Sequence, residues 1–156
     1  MTAKSRTSRS FPRTCLKCGR VAVQLSSASR TCDVKYDGVV YSVSVPSFPI
    51  EKCGSCGNVT VGVEADDAID QALRRHIGLL LPHQIAAGRK ILGLTQQQLA
   101  DQIGCASESM SRWETGAVVQ TKTYDKVLRL VFGLPEARRF LIAMENDKDL
   151  GSRVSA

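Results

Sequence analysis

Cys15-Leu16-Lys17-Cys18-Gly19 and Cys53-Gly54-Ser55-Cys56-Gly57 are two copies of one knuckle, Cys-x2-Cys-Gly, with 34 residues between Cys18 and Cys53. Two intervening residues let a tight turn aim both sulfurs of a knuckle at one point, and the glycine that follows lets the backbone close that turn. Together the knuckles offer four thiolates to a single tetrahedral ion. The sequence around them is strand-like: Val21–Leu25, Thr31–Tyr36 and Val39–Val45 alternate apolar with polar residues, and Asp37-Gly38 between the last two favours a hairpin turn. A fourth run, Asn58–Val63, follows the second knuckle. A segment of about 50 residues with so few aromatic side chains buries too little apolar surface to offset its ordering entropy, so a metal is expected to supply the missing free energy.

The competing readings of these cysteines are a pair of disulfides and a redox-active dithiol. Met1–Arg13 carries Lys4, Arg6, Arg9 and Arg13 among Ser and Thr, with no apolar run after them. That start is not secretory, so a reducing, cytoplasmic setting is expected, and it disfavours disulfides. A dithiol lacks its usual βαβ context. The expected ligand set is structural Zn2+ on Cys15, Cys18, Cys53 and Cys56, a closed site with no position for catalytic water. Cys32 has no such partner and is expected to be a small buried apolar side chain.

The 156 residues include 21 Lys+Arg and 15 Asp+Glu. Residues 1–64 hold nine of those basic and four of those acidic groups, whereas the rest of the chain holds 12 and 11. An excess of +6 suits a polyanionic partner without identifying one. The longest apolar candidate, Leu79-Leu80-Leu81, stops at Pro82, far short of the run of about 18 that a membrane span needs. Neither a Gly-rich phosphate loop, nor a paired-carboxylate motif, nor a nucleophile–base set is visible, and His76 and His83 lack a partner pattern, so an enzyme is not expected.

From Asp66 the apolar period becomes helical. Asp66 or Asp67 can cap a helix whose face carries Ile69, Leu73, Ile77 and Leu80, and Pro82 ends it and starts the next. Helices are expected at about 83–92, 95–103, 107–114 and 122–132, and another after Pro135. The fold class is therefore α+β: a basic flexible tail (1–13), a zinc-binding β domain (14–64), a linker helix (65–81), an all-α domain (82–146) and a flexible tail (147–156).

Within that last domain, Thr95–Gly116 spaces its apolar residues as two helices crossing through a tight turn. Leu99, Ile103, Met110 and Trp113 face inward, Ala100 is small where the helices approach, Gly104 makes the turn and Cys105 points to the core. Ser107 is expected to cap the second helix, and Ser107, Glu108, Ser111 and Arg112 share its polar face. A helix of this width fits the major groove, where an arginine can bond bidentately to guanine. Glu108 would either accept from cytosine N4 or pair with Arg112 one turn away.

Gly93-Leu94-Thr95-Gln96, Leu99-Ala100 and Ser111-Arg112-Trp113-Glu114-Thr115-Gly116 resemble the helix-turn-helix of the phage-repressor-like (XRE, Cro-type) family, over about Leu81 to Leu134. Joined to the two knuckles, the whole is similar to the MqsA (YgiT-type) antitoxin family. The resemblance implies a sequence-specific DNA-binding regulator that represses its own operon and holds a toxin with its zinc domain. It also implies that Arg112 reads a base, Gln96 touches phosphate, and Arg89 and Glu114 form a stabilising ion pair. Lys122 is read either as a further phosphate contact or as a solvated side chain, and the basic tail either as an arm on phosphate or as a plain soluble tail. So few phosphate contacts from a nearly neutral half imply a homodimer on a palindromic site with half-sites about 34 Å apart. The segment 126–144 offers apolar surface for that dimer or for the domain's own core. The alternative functions are an interaction adaptor dominated by the zinc domain and a general regulator without a toxin partner.

Overall fold

The computed structural model describes residues 10–62 and 64–146. Residues 1–9 of the basic tail, Val63 and the 147–156 tail lie outside the described residues. The class is α+β, as expected: an antiparallel sheet followed by helices. Strands β1 (Arg13–Thr14), β2 (Val21–Tyr36), β3 (Val39–Cys53) and β4 (Val59–Val61) lie side by side in chain order. Asp37 and Gly38 both have positive φ, 51° and 78°, the backbone of a type I′ turn whose twist matches that of the strands it joins.

One difference concerns β2. The pattern suggests two short strands, 21–25 and 31–36, but a single strand of 16 residues runs through Ser26-Ser27-Ala28-Ser29-Arg30. These side chains are all exposed and contribute no apolar periodicity. The long neighbour β3 supplies the ladder instead, because strand propensity yields to pairing.

By its contacts the chain divides into two units, Met1–Val34 with Ser42–Ala72, and Lys35–Tyr41 with Leu73–Ala156. In the first, buried Cys15, Val23 and Cys53 pack with Phe11, Cys18 and Ala22, while Val43, Val45 and Phe48 are also buried. Phe48 lies under the Arg30 guanidinium at 5.2 Å. Buried Glu51 pairs with Arg13.

Helix α1 (Glu64–His76) starts slightly before the expected aspartate caps, with acidic residues in its first turn and basic ones in its last, matching the helix dipole. Helices α2 (Pro82–Ile91), α3 (Gln96–Ile103), α4 (Ser107–Thr115), α5 (Lys122–Gly133) and α6 (Pro135–Asn146) lie close to the expected segments. Thr95 and Gln98 form a reciprocal capping box on α3, at 3.1 and 2.8 Å. The cap of α4 is a correction: Ala106 holds that position with no side-chain bond, and Ser107 is the first helical residue. Only Gly104-Cys105-Ala106 join α3 to α4, so the chain must enter helical geometry immediately after Ala106. The core consists of Ile85, Leu99, Ala100, Met110, Trp113, Leu128 and Val131. Cys105 is half-buried against it.

Leu99 is fully buried at the centre of this cluster. Leu99→Ala should lower the stability of the helical unit by about 2–5 kcal/mol through lost transfer energy and a residual cavity. Urea unfolding followed by fluorescence of Trp113, the single tryptophan, measures it; a loss below about 1 kcal/mol contradicts the assignment.

Candidate functional site

The two knuckles fold alike. In the first, Cys15 N–H donates to the Arg20 carbonyl and Gly19 N–H to the Cys15 carbonyl, both at 2.8 Å. In the second, Cys53 N–H donates to the Asn58 carbonyl at 2.8 Å and Gly57 N–H to the Cys53 carbonyl at 3.0 Å. Gly19 and Gly57 have φ of 73° and 70°, a conformation that penalises any side chain, which accounts for the glycine in each copy. The first knuckle lies between β1 and β2, the second between β3 and β4. Antiparallel pairing sets the start of β2 beside the end of β3, so both knuckles sit at one end of the sheet.

There the four sulfurs lie within 4.8 Å of one another. Cys15 Sγ is 3.7 Å from Cys56 Sγ, and Cys18 Sγ is 3.7 Å from Cys53 Sγ. A tetrahedral ion with metal–sulfur bonds of about 2.3 Å requires sulfurs about 3.8 Å apart, whereas a disulfide would hold them near 2 Å. The spacing fits a metal and not a disulfide, and all six cysteines are free. Backbone N–H groups of Cys18 and Lys17 pull the Cys15 thiol down to about 6, and the Cys56 N–H lowers Cys53 in the same way. Asn58 acts likewise on Cys56, but desolvation and three neighbouring sulfurs push that thiol up to about 11. Crowded thiols that resist sharing negative charge are what a divalent cation relieves. Lys17, Arg20 and Lys52 are exposed near the knuckles in sequence.

A second group of residues lies on α3 and α4. Met110 and Trp113 are buried, which turns the opposite face of α4 outward. On it Glu108 and Arg112 are exposed, while Ser107 and Ser111 are half-buried. The expected ion pair between Arg89 and Glu114 is present and bidentate, at 2.6 and 2.9 Å, and it ties α2 to the end of α4. Gln96 joins it, its Nε2 donating to Glu114 at 2.8 Å. Burial raises the Glu114 carboxyl, but the bonds from Arg89 and Gln96 outweigh it and leave the group below its ordinary value. Lys122 stands in the first turn of α5, where its Nζ donates to the Tyr41 hydroxyl at 2.7 Å. Cys32 is only half-buried.

The residue pattern gave no sign of a polar cluster in the same unit. Buried Gln120 donates from Nε2 to the Leu80 carbonyl at 2.7 Å and to Asp125 Oδ1 at 3.2 Å. Asp125 also accepts from the Leu80 N–H and from Arg129, both at 2.7 Å. Tyr36 donates its hydroxyl to the Gln120 carbonyl at 2.7 Å, and Arg74 donates to the Val118 carbonyl at 2.8 Å. Burial, with Asp37 and Asp125 nearby, pushes the Tyr36 hydroxyl up to about 12, so it remains a donor at neutral pH.

Residues 13–139 match the profile of a family described as the antitoxin component of bacterial toxin–antitoxin systems, MqsA. The chain belongs to that family. The match covers most of the sequence, both knuckles and every residue of the α3–α4 surface, as the resemblance implied. No curated protein matches the chain. Membership makes an antitoxin role the established part of the functional reading, and no helix among the described residues is long and apolar enough to cross a membrane.

Two outcomes follow from this geometry. The protein as isolated should carry one metal ion per chain by elemental analysis, and Cys53→Ser should lose it; an intact metal complement in that variant would remove Cys53 from the ligand set. Glu114→Gln should cost the helical unit about 1–3 kcal/mol at pH 7 by leaving the half-buried Arg89 without its counter-charge. Because the folded carboxyl titrates below its ordinary 4.5, the wild-type advantage is complete above that pH and disappears as the pH falls through the lowered value. Urea midpoints of both proteins across an acid series measure the convergence.

Proposed function

We propose that this MqsA-family chain is a cytoplasmic, non-enzymatic antitoxin that also represses its own operon. Cys15, Cys18, Cys53 and Cys56 hold structural Zn2+, whose chemical contribution is to cross-link the two knuckles of a small β module. In this reading residues 14–64 form the zinc module, which also contacts the toxin; 65–81 form a linker helix, 82–146 a helix-turn-helix domain, and 1–13 and 147–156 are tails. α3 and α4 are the paired helices, and α4 lies in the major groove of double-stranded DNA.

The observation that carries the DNA-binding reading is the exposure of Arg112 without a side-chain partner among the described residues, while Met110 and Trp113 lock the other face of α4. A free guanidinium on a rigid helix can bond guanine O6 and N7 bidentately. Ser107 and Ser111 are shorter donors along one side of that face, and Glu108 is the acidic group between them and Arg112. Gln96 and Lys122 are assigned to phosphate and positioning. Each has a protein partner, Glu114 and Tyr41 respectively, which would fix its direction toward the duplex. With so few charges per subunit, a homodimer on a palindromic operator supplies the affinity. Exposed Leu130 on α5, Leu134 between the helices, and Phe140, Ile142 and Met144 on α6 are suited to that contact.

An operator-length duplex from the chain's own promoter tests this. Binding should be sequence-selective and weaken with salt, and Arg112→Ala should reduce it roughly 5- to 150-fold on the cognate duplex while leaving non-specific binding within a few-fold. Equal binding of cognate and scrambled duplexes by the wild type would leave an adaptor in place of a repressor.

A further inference from the structure

Glu108 is exposed in the first turn of α4, and among the described residues it forms no ion pair with Arg112 or any other cation. Sequence spacing left two uses for this carboxylate, pairing with Arg112 or accepting from a base. The structure lacks the pair, so both groups keep their full bonding capacity on one face. A solvent-facing carboxylate is ordinary on most helices. On a helix laid in the major groove it enters the negative potential of the duplex, and it is tolerated only opposite a hydrogen-bond donor.

The four bases differ sharply in what they present there. Guanine shows two acceptors, thymine an acceptor and a methyl group, and adenine an acceptor beside its amino donor; cytosine shows only its N4 amino donor. A carboxylate is thus repelled by guanine and thymine, partly repelled by adenine, and accepted by cytosine. Residues four apart on a helix are separated by a rise of about 6 Å, the length of about two base-pair steps.

We infer that Glu108 selects cytosine, its carboxylate accepting from the N4 amino group within about two base pairs of the guanine that Arg112 reads. This rests on α4 being the base-reading helix, and adds to that reading a second base and a rule of exclusion. Glu108 contributes through the sequences it rejects at least as much as through the bond it makes. Removing its charge should therefore tighten binding to unrelated DNA while blurring the choice of operator.

The test is selection from a randomised duplex library at one fixed salt concentration, using the full-length wild type, Glu108→Gln and Arg112→Ala, with Trp113 fluorescence confirming that each variant is folded. Wild type should enrich a cytosine close to the guanine whose selection Arg112→Ala abolishes, and replacing that C·G pair should weaken wild-type binding roughly 5- to 150-fold. Glu108→Gln should move the preference at that position to adenine, whose N6 and N7 a glutamine bonds together, and should bind scrambled duplexes more tightly than wild type. A Glu108→Gln variant that enriches the same bases as wild type overturns the assignment and leaves α4 as a reader through Arg112. A wild type that enriches no sequence overturns the DNA-binding reading, and this inference with it.

Discussion

Antiparallel pairing of β2 with β3 is the constraint on which the metal centre depends. Each knuckle is a local turn, and by itself it orients only two sulfurs. The hairpin through Asp37-Gly38 returns the chain beside its own start, bringing a pair of thiols from before β2 to a pair from the end of β3. Sulfur separations of 3.7 Å across the two knuckles are the outcome. With Cys15 and Cys53 themselves buried beside Val23, the thiols double as the apolar centre of their unit. A bound cation there would tie together the same residues that pack together, so metal and core reinforce one another.

In the helical unit the corresponding role falls to a half-buried ion pair. Glu114 at the end of α4 takes both prongs of Arg89 from α2 and the amide of Gln96 from α3, so three helices converge on one carboxylate. Removing either charge would leave the other half-buried without its partner, which makes the trio strict about geometry even where its net stabilisation is modest. Met110 and Trp113 fix the roll of α4 about its own axis, and Glu114 fixes its end. An exposed side chain such as Arg112 therefore projects from a helix with little freedom to turn.

Much of this was legible in the residue pattern where the determining interactions are local. The Cys-x2-Cys-Gly copies, the period of the helices, and the inward positions Leu99, Ala100, Met110 and Trp113 all depend on spacing along one element. What the pattern missed depends on partners far away in sequence. β2 continues through a serine-rich stretch because β3 pairs with it, and Gln120 and Asp125 are buried because they find the backbone of Leu80. Lys122 reads as a surface lysine until Tyr41, 81 residues away, is placed against it. Ser107 has the chemistry of a cap, but a three-residue turn puts Ala106 in that position. Polar side chains are the hardest to assign from sequence because their burial is decided by whichever donor or acceptor the fold brings to them.

The hairpin tip Lys35–Tyr41 belongs with the helices and not with the strands on either side of it. Tyr36 holds the Gln120 carbonyl and Tyr41 receives the Lys122 amine, so a strip of the amino-terminal half is built into the carboxy-terminal unit. The two halves are consequently not interchangeable cassettes: a recombination breakpoint anywhere between the second knuckle and α2 would pair a helical body with a foreign hairpin tip. Lineages that swap such halves would have to inherit, or re-evolve, both tyrosines with the helices they serve.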